Sequence, residues 1–160
     1  MSILFKENQK FTQWWLWALL LGITCIPLYG LYRQLIIEIP FGNNPISDVG
    51  LILVLLFMLA FMGFFFSMRL RTEIDPQEIR MSYFPFLKKR IFWNEVTSAK
   101  IVNYGFVGYG IRIGSKYGTI YNTKGNKGLA IELKNGKKLC IGTQKPQELE
   151  KIIERQSTIH

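Results

Sequence analysis

The chain contains one histidine and two cysteines among its 160 residues. The histidine, His160, is the last residue, where chain ends fray, so a general base and the commonest metal ligand are both missing from the interior. Cys25 lies in an apolar stretch and Cys140 in a predicted strand, which favours two separate thiols over a disulfide. With scattered carboxylates and no histidine beside any serine, the sequence predicts no enzyme, no metal site and no cofactor.

Charge is also missing, from two long stretches. Neither Phe11–Tyr32 nor Val49–Met68 contains a charged residue. Each is long enough to cross a bilayer as a helix, which takes about 20 apolar residues. The sequence therefore predicts a transmembrane helical hairpin over residues 1–68, with spans at about 11–32 and 49–68 and an external loop at 33–48. A cleaved signal peptide is the rival interpretation, but the first run is too long and no cleavage site follows it.

The basic residues of the chain are distributed unevenly. The formal net charge of +9 lies entirely in residues 69–160, because three basic and three acidic side chains cancel in residues 1–68. Lys6 and Lys10 precede the first span and Arg69 and Arg71 follow the second. Basic flanks mark the cytoplasmic side of a membrane. The pattern predicts a multi-pass protein of the inner, cytoplasmic membrane with both termini in the cytoplasm.

Residues 69–160 show the pattern of a small β domain. Short runs of alternating apolar residues are separated by turn signals, which is typical of an antiparallel barrel or sandwich. In Lys127–Pro146 the alternation selects one hairpin register. A three-residue loop at Lys134-Asn135-Gly136, with Gly136 left-handed, pairs Ile131 with Leu139 and keeps both apolar sets on one face. Pro146 starts a predicted closing helix over about 146–156.

The order of these segments resembles a known family. Strands are followed by IFWNEVTSAKI, by a glycine-rich link with GYGIR, by the hairpin KGLAIELKNGKKLCIGT and by a short amphipathic helix. This order is similar to the bacterial pleckstrin-homology-like domains that are attached to transmembrane helical hairpins. The resemblance covers residues 69–160. It implies a membrane-anchored α+β protein in which a seven-stranded antiparallel barrel or sandwich, capped by a C-terminal helix, serves for binding.

The chain departs from the lipid-binding members of that superfamily at one loop. Those members carry several basic residues between their first two strands, where phosphoinositide phosphates bind. Here the loop is Asp75-Pro76-Gln77-Glu78, and its acidic charge argues against a phosphoinositide pocket. Contact with anionic lipid or with an acidic partner would instead come from the other basic turns or from the aromatic residues near the glycines. These candidate contact residues are Lys88, Lys89, Arg90, Tyr104, Phe106, Tyr109, Lys137 and Lys138.

Each candidate group also has a purely structural interpretation. The run Lys88-Lys89-Arg90 is also typical of a solvated hairpin tip, and the aromatic residues near Gly105 and Gly110 could pack in the core. The glycine spacing there does not match a nucleotide-binding loop, and no long helix follows it. No nucleic-acid motif accompanies the basic charge. The leading hypothesis is a binding module or scaffold that presents its domain to an unidentified protein partner at the membrane. The alternatives are engagement of anionic lipid and a structural subunit of a larger complex.

Overall fold

The computed structural model describes residues 3–105 and 108–157. Its helices are α1 (Trp14–Leu35), α2 (Asp48–Ser67) and α3 (Pro146–Ser157). The described residues form nine strands: β1 (Phe5–Lys10), β2 (Arg69–Ile74), β3 (Glu78–Phe84), β4 (Leu87–Phe92), β5 (Val96–Asn103), β6 (Gly110–Ser115), β7 (Gly118–Asn122), β8 (Lys127–Leu133) and β9 (Lys138–Gly142). The chain divides into a helical unit, 12–67, and a β unit, 1–11 with 68–160.

The helical unit is an antiparallel pair of apolar helices. The face of α1 that is buried carries Leu20, Thr24 and Leu31, and the Thr24 hydroxyl lies 3.4 Å from the Met62 sulfur of α2. Leu51 is the only buried residue among those of α2. Both helices are long and apolar enough to cross a membrane. A core helix of a soluble protein would bury much more of its surface, so the low burial is consistent with membrane spans.

The four-stranded sheet has the order β1-β2-β3-β4 and is antiparallel throughout. Its inner face is formed by alternate residues, among them Phe5, Leu70, Ile79 and Tyr83, each at most 1% exposed. The residues between them point to the outer face, which is mostly polar but also carries Phe84 and Phe92. The predicted turn Asp75–Glu78 joins β2 to β3. Burial alone would raise the pKa of Asp75, but hydrogen bonds from the Gln77 and Glu78 amides, and the nearby Arg80, lower it below its usual value.

The five-stranded sheet has the order β5-β8-β9-β7-β6, and one of its pairs is parallel. β7 runs parallel to β9, with Thr119 opposite Leu139 and Tyr121 opposite Ile141. The predicted seven-stranded, wholly antiparallel arrangement is therefore wrong in strand number and at this pair. Gly118 explains the close approach, because a Cβ on this residue would lie 1.9 Å from the Lys138 carbonyl oxygen.

The strand β1 was not predicted. It pairs along its whole length with β2, from Phe5 opposite Ile74 to Lys10 opposite Arg69. The helical hairpin is thus an insertion between two adjacent strands of one sheet, and the β unit begins before the first span rather than at residue 69. The N-terminal flank has a structural role as well as a basic charge.

Two predictions for the C-terminal half are confirmed. In the β8–β9 hairpin Ile131 pairs with Leu139 and Leu129 with Ile141, and Gly136 has φ 78°. The closing helix begins at Pro146 as predicted. Its apolar stripe covers the β unit, because Leu149 and Ile153 are 1% and 5% exposed.

Candidate functional site

Basic residues lie along the whole outer face of the four-stranded sheet, but its carboxylates lie at one end only. Register defines rows of neighbours across this face. The first row contains Lys10, Arg69 and Phe84, and the second contains Asn8, Arg71, Ser82 and Lys88. These two rows hold four cations and no carboxylate. We call Lys10, Arg69, Arg71 and Lys88 the cationic half-face; all four are exposed.

The other end of the same face carries carboxylates that form ion pairs with several of its cations. Its third row holds Lys6, Glu73, Arg80 and Arg90. Glu73 lies 3.1 Å from the Lys6 ammonium and 3.8 Å from Arg80, and more loosely, at 3.9 Å, from Arg71 of the second row. Arg80 also reaches the buried Asp75 carboxylate at 3.2 Å. Because carboxylates occur only in the far rows, the positive potential of this face increases toward the first row.

The cationic half-face lies at the strand ends that lead into the helices. Arg69 follows the last residue of α2 by two positions, and Lys10 precedes the first residue of α1 by four. At about 3.5 Å per residue, these are at most about 7 Å and 14 Å of chain. Lys10 and Arg69 are therefore the cations of this face that lie closest along the chain to α1 and α2.

The run Lys88-Lys89-Arg90 does not form a turn. It lies within β4, because the chain reverses earlier, at Pro85 and Phe86, and β4 begins at Leu87. The strand period of two then divides the run. Lys88 and Arg90 point to the outer face, whereas the Lys89 ammonium lies 5.1 Å from the ring centre of Tyr121. Sequence reasoning found these residues but misplaced them, and it missed Arg71 as a member of the same surface.

The aromatic candidates do not form one exposed surface. Tyr104 is 9% exposed and packs with Ile120 and Cys140. Gly128 allows this packing, since a Cβ there would lie 3.0 Å from the Tyr104 ring. Tyr104 is thus a core residue, not a surface contact. Tyr109 is half-buried, and Phe106 lies outside the described residues.

The lysines of the β8–β9 hairpin lie on a different part of the β unit. Lys137 is exposed in the turn, and Lys138 forms a 3.2 Å ion pair with Glu132. Lys138 also lines a depression of about 230 Å³ together with Lys100 and Lys116. They belong to the five-stranded sheet and are not part of the cationic half-face.

A groove of about 600 Å³ runs between β5 and α3. Its lining includes Trp93, Thr97 and Ala99 on one side and Ile153 and Gln156 on the other. β5 is the edge strand of its sheet, and edge strands are where extended segments add to a sheet. Trp93 itself is a core residue at 7% exposure, and its indole N–H donates to the Asp75 carbonyl oxygen.

Groups able to perform chemistry are sparse. Cys140 is fully buried, and burial raises its pKa to about 12. Its thiol is therefore protonated at neutral pH and is not a nucleophile. Within residues 3–105 and 108–157, no group of three or more His, Cys, Asp or Glu side chains is placed to hold a metal ion. Comparison with protein-family models, with curated proteins and with solved structures gives no match to this chain.

Proposed function

We propose that this chain is a non-catalytic, membrane-anchored binding protein whose β unit engages anionic lipid headgroups through the cationic half-face. In this proposal α1 and α2 span the inner membrane and both termini lie in the cytoplasm. The observation that carries it is the position of four cations, without a carboxylate, in the two sheet rows closest along the chain to the helices. Each Lys or Arg near an anionic surface contributes about 1 kcal/mol of attraction.

The resemblance to pleckstrin-homology-like domains supports only the general part of this proposal, namely that the β unit serves for binding. In the acidic Asp75–Glu78 turn, the Asp75 carboxylate accepts hydrogen bonds from the Gln77 and Glu78 amides and forms an ion pair with Arg80. This turn offers no cationic pocket for a phosphorylated headgroup. The cationic half-face supplies the positive surface instead, and this exposed surface suits several headgroups better than it suits one buried ligand.

Amine footprinting of the full chain in lipid nanodiscs tests the proposal. We expect Lys10 and Lys88 to be acetylated about fivefold more slowly in discs with anionic lipid than in neutral discs, which corresponds to about 1 kcal/mol per residue. At about 1 M salt the protection should disappear, because the screening length falls to about 3 Å. Lys134 and Lys137, in the β8–β9 turn, should react equally in both lipids.

A pair of matched variants separates a local surface from overall charge. Arg71→Gln with Lys88→Gln should reduce the protection of Lys10, whereas Lys134→Gln with Lys137→Gln, an equal change in net charge, should leave it intact. Equal labelling of Lys10 in anionic and neutral discs would contradict headgroup binding.

The second candidate function is capture of a protein partner, and the groove between β5 and α3 favours it. A strand added at the edge of β5 would gain backbone hydrogen bonds, and its side chains would meet Trp93 and Ile153. This interaction would be much less sensitive to salt than headgroup attraction. Lipid-independent labelling at Lys10 and Lys88 would make it the leading function.

A further inference from the structure

The turn between β3 and β4 exposes two phenylalanines. Phe84 and Phe86 are 48% and 54% exposed, on either side of Pro85. The turn is well defined, since the Phe86 amide donates to the Tyr83 carbonyl oxygen at 2.8 Å. Tyr83 is fully buried, and its ring lies 5.9 Å from that of Phe86. Turns usually carry polar residues, glycine or proline, so two aromatic rings this exposed at the tip of a sheet are unusual.

The register places this turn in the row nearest the helices. Phe84 is directly opposite Arg69, and Arg69 is opposite Lys10. Neighbouring strands are about 4.8 Å apart, and Arg69 is two residues from the end of α2. The backbone of Phe84 therefore lies within about 12 Å of the end of α2, whatever the orientation of the β unit.

We infer that the β3–β4 turn is a membrane anchor that inserts Phe84 and Phe86 at the boundary between headgroups and acyl chains. The occupant of this apolar surface is the bilayer, because the cations of the first two rows lie beside the rings. Aromatic residues flanked by Lys and Arg are the composition of a segment lying in a membrane interface. The inference rests on the membrane-spanning role of α1 and α2, but it does not require the headgroups to be anionic.

Phe92, the last residue of β4, provides a matched control on the same sheet. It is 47% exposed and lies on the same outer face of β4. It is six residues beyond Phe86, or about 20 Å along the strand. The residue opposite Phe92 is Glu78, whose negative charge would be repelled by an anionic membrane surface.

Nitroxide accessibility measures insertion directly. A spin label is placed by Phe84→Cys, Phe86→Cys or Phe92→Cys in the full chain carrying Cys25→Ala; Cys140 is retained because it is fully buried. In neutral liposomes at high salt, we expect the labels at 84 and 86 to be accessible to oxygen and shielded from a water-soluble nickel complex. The label at 92 should show the reverse.

Three results would overturn the inference. Nickel accessibility at 86 equal to that at 92 would show that the turn is in water. Shielding at 92 equal to that at 84 would show that the whole sheet lies flat on the membrane. Shielding that increases with the protein-to-lipid ratio would assign the surface to a second copy of the chain. Neutral lipid and high salt separate this test from headgroup attraction, and unchanged circular dichroism confirms that each labelled variant is folded.

Discussion

Replacing Gly118 with alanine is expected to destabilise the β unit by about 3 kcal/mol or more. The residue has φ 76°, and for a residue with a side chain a left-handed conformation costs about 1–2 kcal/mol. The new Cβ would also lie 1.9 Å from the Lys138 carbonyl oxygen, which is backbone and part of the parallel β7–β9 pair. Relief requires the two strands to separate, and overpacking of this kind costs about 1–3 kcal/mol more.

Gly136 is the control for this substitution. It has nearly the same φ, 78°, but a Cβ there would have no atom within 4 Å. Gly136→Ala should therefore show only the conformational cost, about 1–2 kcal/mol. Denaturant unfolding of both variants in detergent measures the difference. Equal losses of unfolding free energy would mean that β7 and β9 are not in close contact.

Replacing Glu7 with alanine is expected to cost about 3 kcal/mol. The Glu7 carboxylate is buried and accepts a 2.7 Å hydrogen bond from the Thr143 hydroxyl and a 2.8 Å bond from the Gln144 amide. These bonds tie β1 to the segment between β9 and α3. Truncation leaves the buried Thr143 hydroxyl and the part-buried Gln144 amide without this acceptor. A buried donor left unpaired costs about 1–3 kcal/mol, and the loss of the second bond adds to this.

Neighbouring substitutions show whether this loss is specific. Asn8→Ala, at the exposed position next to Glu7, should change the unfolding free energy by less than about 0.5 kcal/mol. Glu7→Gln keeps one acceptor oxygen and should be intermediate. A Glu7→Ala protein as stable as Asn8→Ala would contradict the docking of β1 onto the β unit.

The sequence predicted those elements whose apolar pattern has a single solution. In β8 and β9 a slip of one residue would turn every apolar side chain outward, so the register could be deduced before the structure. The presence of two apolar helices and the start of α3 at Pro146 were also predicted, because length, hydropathy and proline geometry act locally. The bounds of α1 were less exact, since it runs over Trp14–Leu35 and not over 11–32. These signals need no knowledge of the rest of the fold.

The missed features depend on partners that are distant in the chain. The residues of β1 alternate between buried and exposed positions. After Phe5, however, the buried residues are Glu7 and Gln9, which are polar, so the sequence shows no apolar alternation. They are buried because Thr143, Gln144, Thr123 and the Gly142 carbonyl satisfy them. The burial of Tyr104 likewise depends on the absent side chain of Gly128 across the sheet.

The cationic half-face could not be seen from the sequence for the same reason. Its members come from three strands, and the β1–β2 register brings Lys10 beside Arg69 across the whole helical hairpin. The run Lys88-Lys89-Arg90 was predicted as one contact site, but side chains alternate along a strand, so Lys89 lies on the opposite face of β4 from Lys88 and Arg90. A fragment beginning at residue 69 would lack β1 and the Glu7 and Gln9 bonds, so binding experiments require the full chain.

The central claim is that α1 and α2 cross the membrane as a hairpin, and that the strands on either side of it, β1 and β2, belong to one β unit on the same side of the membrane. The direct measurement is labelling by a membrane-impermeant thiol reagent in spheroplasts of a bacterial host, with Cys25→Ala as background. Asn43→Cys, in the loop between the helices, should react in intact spheroplasts. Asn8→Cys and Asn135→Cys, both exposed in the β unit, should react only after permeabilisation. Labelling of all three positions, or of Asn8→Cys alone, in intact spheroplasts would contradict the account.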